Sequence, residues 1–371
     1  MRFRQWSVEE FSGGRDAWTA LLGSTRADPL FMSWEWHWAW WCHLSVRSDV
    51  LYLVAAYADD GRLIGLAPLY LHRGLHRGLT ANRLESIGSR WRSRNDIFSE
   101  YLDFIVLRER EEEFARGLAA WLAEDARWSD LVLRNVRQDS VASRMVREHL
   151  GNAHYVRSVE PLVAQAITLP QSIETFIELL KPSARRRIWN HRKRLVAGDL
   201  QAIPAERVDE ALDALNRYHQ QRWGNVHYVG ARREFHQQFT AQMAERGALR
   251  VSELKHEGAT ISVVYDVRLG DTEYNLQSGF HPETRGISPG YLHFGYCIER
   301  ACRDGLRRFD FLAGSGLHRD YKRDFGTVNT RIDTTQVIRP AALAWLYRQY
   351  DQYFAPAQPL DAAIADCSTT P

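Results

Sequence analysis

Between Tyr274 and Gly326 an alternating segment runs into Arg285-Gly286-Ile287-Ser288-Pro289-Gly290 and then directly into an amphipathic stretch. A turn of small residues that opens a helix presents unpaired backbone N–H groups and the positive end of the helix dipole. Together these favour a phosphate-like anion. Arg285, heading the turn, can add a charged fork to that anion. An ordinary surface turn before a helix has the same composition, so the flanking segments carry the argument.

Upstream, Ala259 to Val267 alternates through Ile261, Val263, Tyr265 and Val267, and Thr272 to Phe280 alternates through Tyr274, Leu276, Ser278 and Phe280. Leu269-Gly270-Asp271 between them reads as a hairpin turn. Downstream, Tyr291, Phe294, Ile298 and Ala301 form the apolar stripe of a helix ending at Asp304-Gly305, and Arg307 to Leu312 is a short strand. A short helix carrying Asp320 to Gly326 and a last strand from Arg331 to Val337 complete the series. Strand, strand, anion turn, helix, strand resembles the second half of a GNAT domain, and that resemblance implies an α/β (α+β) fold with a mixed, mostly antiparallel twisted sheet flanked by helices.

Arg285-x-x-Ser288-x-Gly290 resembles the Gln/Arg-x-x-Gly-x-Gly/Ala acyl-CoA loop of GNAT-fold acyltransferases, with serine where that family has glycine. Three segments together resemble the CelD-like or BioF-like acyltransferase group, a relative of the Fem-type peptidoglycan aminoacyltransferases. They are Phe31-Met32-Ser33-Trp34-Glu35-Trp36, then Lys181-Pro182-Ser183-Ala184-Arg185-Arg186-Arg187, and then Ser278-Gly279-Phe280-His281-Pro282 through Phe309-Asp310-Phe311-Leu312 to Tyr321-Lys322-Arg323-Asp324-Phe325-Gly326. The resemblance implies two tandem GNAT-like domains, acyl-CoA as co-substrate and no metal. It implies transfer of an acyl group to a primary amine of a small molecule, amino sugar or peptide, in envelope or exopolysaccharide synthesis.

Acyl transfer to an amine needs a neutral nucleophile, a held carbonyl, donors for the developing oxyanion and a proton donor for the leaving thiolate. The resemblance implies that the strand Asn275 to Gly279 holds the thioester, with Asn275, Gln277, Ser278 and Gly279 at the donor site. It gives the pyrophosphate to Arg285, Gly286, Ser288, Gly290 and Tyr291. Tyr321 becomes the general acid, with Lys322 holding it, the substrate or the donor, while Asp310 is the candidate base or the group that orients the acceptor amine, with His293 or His318 as the alternative proton acceptor. A core tyrosine and a structural pair of amides are the competing readings of Tyr321 and of Asn275 with Gln277.

The first half repeats the element order of a GNAT domain without an anion turn, so the acyl-CoA site is expected in the second half alone. Leu169-Pro170-Gln171-Ser172 marks the expected boundary, giving an N-terminal acceptor or structural domain over 1–168, a catalytic domain over 169–340 and a terminal helix with a loose tail over 341–371. Ser33 as N-cap with Trp34, Trp38 and Trp41 at helical spacing predicts one buried face, leaving Glu35 and Trp36 for an acceptor cleft. Glu100 and Asp103 at a strand start and Trp223 at a helix end are further acceptor candidates, against solvated carboxylates and a buried indole.

Lys plus Arg at 48 against Asp plus Glu at 46 gives a formal charge of +2, too weak a field to argue for nucleic acid. A basic helix from Ser183 to Val196 leaves open a solvated face, a phosphate contact or an aminoacyl-tRNA, the last as in the Fem-type proteins. Cys42, Cys297, Cys302 and Cys367 have neither metal-ligand nor disulfide-scaffold spacing. With no apolar run long enough to cross a bilayer and no apolar core at the N-terminus, a cytoplasmic protein is expected. The rival readings are an aminoacyl-tRNA-dependent transferase and a non-catalytic binding module of a polysaccharide-synthesis complex.

Overall fold

The structure, a computed structural model, describes residues 1–76, 79–93, 96–195, 200–281, 287–313 and 320–353. Its strands are β1 (Arg2–Gln5), β2 (Val50–Tyr57), β3 (Leu63–His76), β4 (Leu79–Ser86), β5 (Ile105–Val106), β6 (Asp130–Arg137), β7 (Tyr155–Thr168), β8 (Leu200–Ala202), β9 (Leu249–His256), β10 (Ala259–Leu269), β11 (Thr272–Phe280), β12 (Arg308–Asp310) and β13 (Val328–Ile338). Its helices are α1 (Val8–Gly13), α2 (Arg15–Leu22), α3 (Trp34–Leu44), α4 (Glu111–Glu124), α5 (Val141–Met145), α6 (Ile173–Leu179), α7 (Pro182–Ile188), α8 (Val208–Trp223), α9 (Ala231–Glu245), α10 (Pro289–Arg303) and α11 (Ala341–Tyr353). Two compact units form, one from 1–162 with 331–371 and the other from 163–330. No helix among the described residues is long and apolar enough to cross a membrane.

In the first unit the strand order is β1-β2-β3-β4-β6-β13, antiparallel except for the β4/β6 pair, with β5 on β3. β13 and α11, counted with the second half and the tail from sequence, belong to this unit: β13 pairs with β6, and Asp351 of α11 accepts from the Tyr155 hydroxyl at 2.9 Å and from Arg157. The ladder between β4 and β6 runs from Arg83/Asp130 to Glu85/Val132 and then stops. Beyond Glu85 and Val132 the chain itself fills the gap. Asn135 Nδ2 donates to the Ser99 carbonyl at 2.7 Å, Trp36 Nε1 donates to Ser99 Oγ at 2.8 Å, and Ser99 Oγ donates to the Gly88 carbonyl.

α3 departs from the expected single buried face. Trp34, Trp36 and Trp40 are buried while Trp38 and Trp41 are only half-buried, because protein surrounds the helix on most of its circumference.

In the second unit the order is β7-β12-β11-β10-β9-β8, antiparallel except for β11/β12. α10 lays Phe294, Cys297, Ile298 and Ala301 against Phe309 and Phe311 beside β12, closed below by Phe325 and by Ile188 of α7. The basic helix expected over Ser183 to Val196 is broken. α7 ends at Ile188, Trp189 leaves helical geometry, and a 3-10 turn covers Asn190–Arg194. β9 went unnoticed in the sequence and forms the outer partner of β10.

Candidate active site

β11 and β12 run side by side for three registered pairs, Thr272/Arg308, Glu273/Phe309 and Tyr274/Asp310, and then separate. The separation is built into β12. Leu312 adopts a left-handed φ of 58°, which for a branched residue must be held in place by its surroundings. Asp310 Oδ1 accepts the Leu312 N–H at 2.8 Å, and Arg308 holds Oδ2 with Nε and Nη2, both at 3.0 Å. Lys322 Nζ donates to the carbonyls of Phe311, Leu312 and Ala313 at 2.8, 2.6 and 3.2 Å. The sequence expectation for these two residues is therefore corrected: both are buried and spent on holding the bend, Asp310 by its oxygens and Lys322 by its three donors.

β11 carries the matching irregularity. Tyr265 pairs with Gln277 and Asp266 with Asn275, so Leu276 is an extra residue, a bulge that re-aims the strand beyond it. Asn275 Nδ2 anchors the bulge by donating to Asp266 Oδ1 at 2.7 Å. Burial and the neighbouring Glu273 push the Asp266 carboxyl well up, while Arg300 bonds Glu273 and reaches Asp266 at 3.5 Å. Past the bulge the Ser278 N–H turns away from β10, and the amide oxygen of Gln277 accepts it at 3.0 Å. Gly279 is required for packing: a Cβ there would sit 2.8 Å from the Tyr218 ring of α8.

The 3-10 turn Asp320–Phe325 brings Tyr321 to this strand. Its ring lies between Tyr291 and Phe294, and its hydroxyl meets the Ser278 side chain. Burial pushes the phenol up to about 12, opposed by Arg222 and by the Ser278 hydroxyl. The turn is tied down by Asp324, which accepts from the Tyr291 hydroxyl and from Arg187 Nη2, both at 2.7 Å. Tyr291 was expected at the pyrophosphate; its hydroxyl is committed to Asp324 and its ring to Arg187 and Phe325, so it anchors the turn.

α10 begins at Pro289 after Ser288, whose side chain makes no capping bond. Gly290 lets the Phe280 ring approach, since a Cβ would stand 3.0 Å from it. Arg285, Gly286 and His318 lie outside the described residues. His293 is corrected as a proton acceptor: Ser252 Oγ and Ser262 Oγ hold its nitrogens at 2.9 and 3.0 Å, and burial lowers it to about 3.

The last turn of α8 supplies residues the sequence left unassigned. Arg222 lies over the rings of Trp223 and Phe280, and His219 meets Trp223 edge to face at 4.6 Å. Trp223, a candidate acceptor wall, is 42% exposed. His219 and Trp223 stand four apart on a helix, one face by spacing, but nothing in the sequence says that β11 lies against that face.

The acceptor candidates of the first unit are corrected. Glu35 is buried and bonded by Arg15 Nη2 at 3.0 Å, Trp36 is buried on Ser99, and Glu100 is fully enclosed. Asp103 accepts the N–H groups of Ala142 and Phe104 at 2.8 and 2.7 Å, and burial raises it to about 6. The basic segment is largely structural as well. Arg185 donates to the carbonyls of Ile177 and Glu178, Arg187 to Asp324, and Arg192 to Glu299.

Residues 182–323 match the family model described as acetyltransferase (GNAT) domain. The fold is similar to that of FemX, with a TM-score of 0.62 over 90% of this chain and 97% of that one at 12% identity. A conserved protein of unknown function from Bacteroides thetaiotaomicron aligns with a TM-score of 0.54 at 11% identity, covering 91% of this chain and 99% of that one. L-PGS from Bacillus licheniformis aligns at 0.50 and 11% identity, covering 89% and 93%. No curated protein sequence matches the chain.

Proposed function

We propose, from the premise that this chain is a GNAT-fold acyltransferase, that it moves an acyl group from a coenzyme A thioester to a primary amine and that the second unit holds the donor. The observation that carries this reading is the end of the β11/β12 ladder at Tyr274/Asp310, beyond which the Ser278 N–H is held by the Gln277 side chain, the Tyr321 phenol meets Ser278, and α10 starts without a side-chain cap. The thioester carbonyl takes the place of the Gln277 amide oxygen on the Ser278 N–H, which then stabilises the oxyanion as the amine adds. The pyrophosphate meets the first turn of α10, together with Arg285 and Gly286. Tyr321 keeps its proton through the neutral range and donates to the leaving atom.

The acceptor on this reading is an amine of a small molecule, amino sugar or peptide, for which the exposed indole of Trp223 offers a face. A setting in envelope or exopolysaccharide synthesis rests on the resemblance of the motifs. One observation favours a second reading, in which the donor is an aminoacyl ester of tRNA. A thiol with a pKa of about 8.5 gives a thiolate too weakly basic to strip a phenol held near 12, whereas an alkoxide leaving group is matched to it. On the thioester reading Tyr321 therefore acts as a hydrogen-bond donor to sulfur.

The test is free-thiol release from acetyl-CoA with glucosamine and with a lysine-ended peptide. The thioester reading expects amine-dependent thiol, and in Arg285→Ala a raised KM for acetyl-CoA with little change in kcat. Transfer from charged tRNA without thiol release, steeply weakened by salt, would replace it with the second reading.

A further inference from the structure

His219 is 8% exposed, and its Nε2 is enclosed with no partner at hydrogen-bond distance among the described residues, Gln277 approaching the imidazole without closing to such a distance. Folded proteins satisfy nearly all such buried nitrogens, so an orphan beside a reaction site marks a place where another molecule completes the bonding. The position is defined by its neighbours. Tyr218 on the preceding step of α8 packs on Gly279, Arg222 covers Phe280, and the Gln277 side chain, whose oxygen occupies the Ser278 N–H, reaches the imidazole. Gln277 thus lies between the imidazole and the Ser278 N–H, while the Tyr321 hydroxyl meets the side chain of the same serine.

We propose that His219 is the catalytic base for the acceptor amine, with Nε2 as the atom that receives the proton. The proposal rests on the reading of the β11/β12 opening as the donor site. As the neutral amine attacks, the C–N bond forms and the C–S bond breaks. The proton that the nitrogen sheds goes to Nε2, the thiolate leaves on the Tyr321 hydrogen bond, and the imidazolium returns its proton to water. Trp223, exposed and set edge to face against the imidazole, is the wall along which the acceptor approaches it.

A base must be neutral before it acts, and the surroundings favour that. Burial lowers the His219 pKa and the Arg222 charge on its own helix lowers it further, while Gln277 from β11 opposes them. His227, from the connection to α9, is held to about 4 and stands 6.0 Å away, with His236 of α9 behind it, also held low. Asp310 and His293, the sequence candidates for this role, have their polar atoms already engaged.

The experiment uses the full chain with acetyl-CoA as donor and benzylamine as acceptor. His219→Ala is expected to lower kcat on the order of 10²-fold with KM for acetyl-CoA unchanged, to lose the acidic limb of the pH profile, and to recover on adding imidazole. His219→Gln should show the same loss with an unchanged melting temperature. Turnover at the wild-type rate in both variants, or a loss that imidazole does not restore in a folded protein, would overturn the proposal. A second arm is independent of the donor: nitrogen-15 NMR of the imidazoles while methylamine is added. A saturable shift at His219 Nε2 supports the base even if the wild type consumes no thioester, an outcome that would remove the donor reading alone. No shift at that nitrogen overturns the base whatever the donor is.

Discussion

Tyr321 and Lys322 are adjacent in sequence and do opposite jobs. The phenol ends at the Ser278 hydroxyl, beside the N–H proposed to hold the donor, whereas the ammonium ends among three carbonyls of the β12 bend. Replacing Tyr321 with Phe removes one donor and leaves the stacked ring. kcat is expected to fall on the order of 10²-fold with KM for the donor nearly unchanged, read by steady-state kinetics. Lys322→Met leaves three buried carbonyls without their donor and should cost about 3 kcal/mol in urea unfolding, lowering activity only through the loss of fold. The sequence showed these residues and their order, but not which way each side chain points. Lys322 is drawn to the carbonyls of a bend at the left-handed Leu312, which no pattern of periodicity announces.

Among the elements, the hairpin of β10 and β11 and the helix α10 were legible because each has a clean period and a turn or proline at its end. The bulge at Leu276 was not, since one extra residue leaves the alternation of Tyr274, Leu276, Ser278 and Phe280 intact on paper. The break in the basic helix was missed for a related reason. Arg185, Arg187 and Arg192 look like a solvated face until Glu299, Asp324 and two backbone carbonyls are found beside them. α7 and α10 approach so closely that a Cβ on Gly295 would lie 2.3 Å from the Ile188 carbonyl oxygen, a backbone atom that cannot swing aside. Gly295→Ala is therefore expected to cost about 1–3 kcal/mol in denaturant unfolding, by pushing α10 off α7.

At the scale of the whole molecule, each unit has one parallel pair of strands whose ladder ends after three registered pairs, and in the first the described residues beyond it are tied by Ser99, bonded from Trp36 and Asn135. Their charges also differ. In the second unit His219, His227, His236 and His293 are all held below the ordinary histidine value by burial, so the unfolded chain takes up protons at about pH 6.5 that the folded unit refuses. Each lowers stability by up to about 1.4 kcal/mol per pH unit as pH falls from about 6.5, and the raised Asp266 offsets part of one. In the first unit Glu85, Asp96 and Asp103, raised to about 7, 6 and 6, gain protons over the same range and offset the buried His37 and the half-buried His154. The second unit should therefore open first on going from about pH 7 to about pH 5, which hydrogen exchange resolved by segment would detect.

The most direct measurement is hydrogen–deuterium exchange of the full chain at neutral pH with and without acetyl-CoA. The donor site proposed for the β11/β12 opening requires protection of residues 276–280 and of the first turn of α10, with the ends of β4 and β6 unchanged. Protection confined to the first unit, or none in β11 at saturating acetyl-CoA, would contradict it.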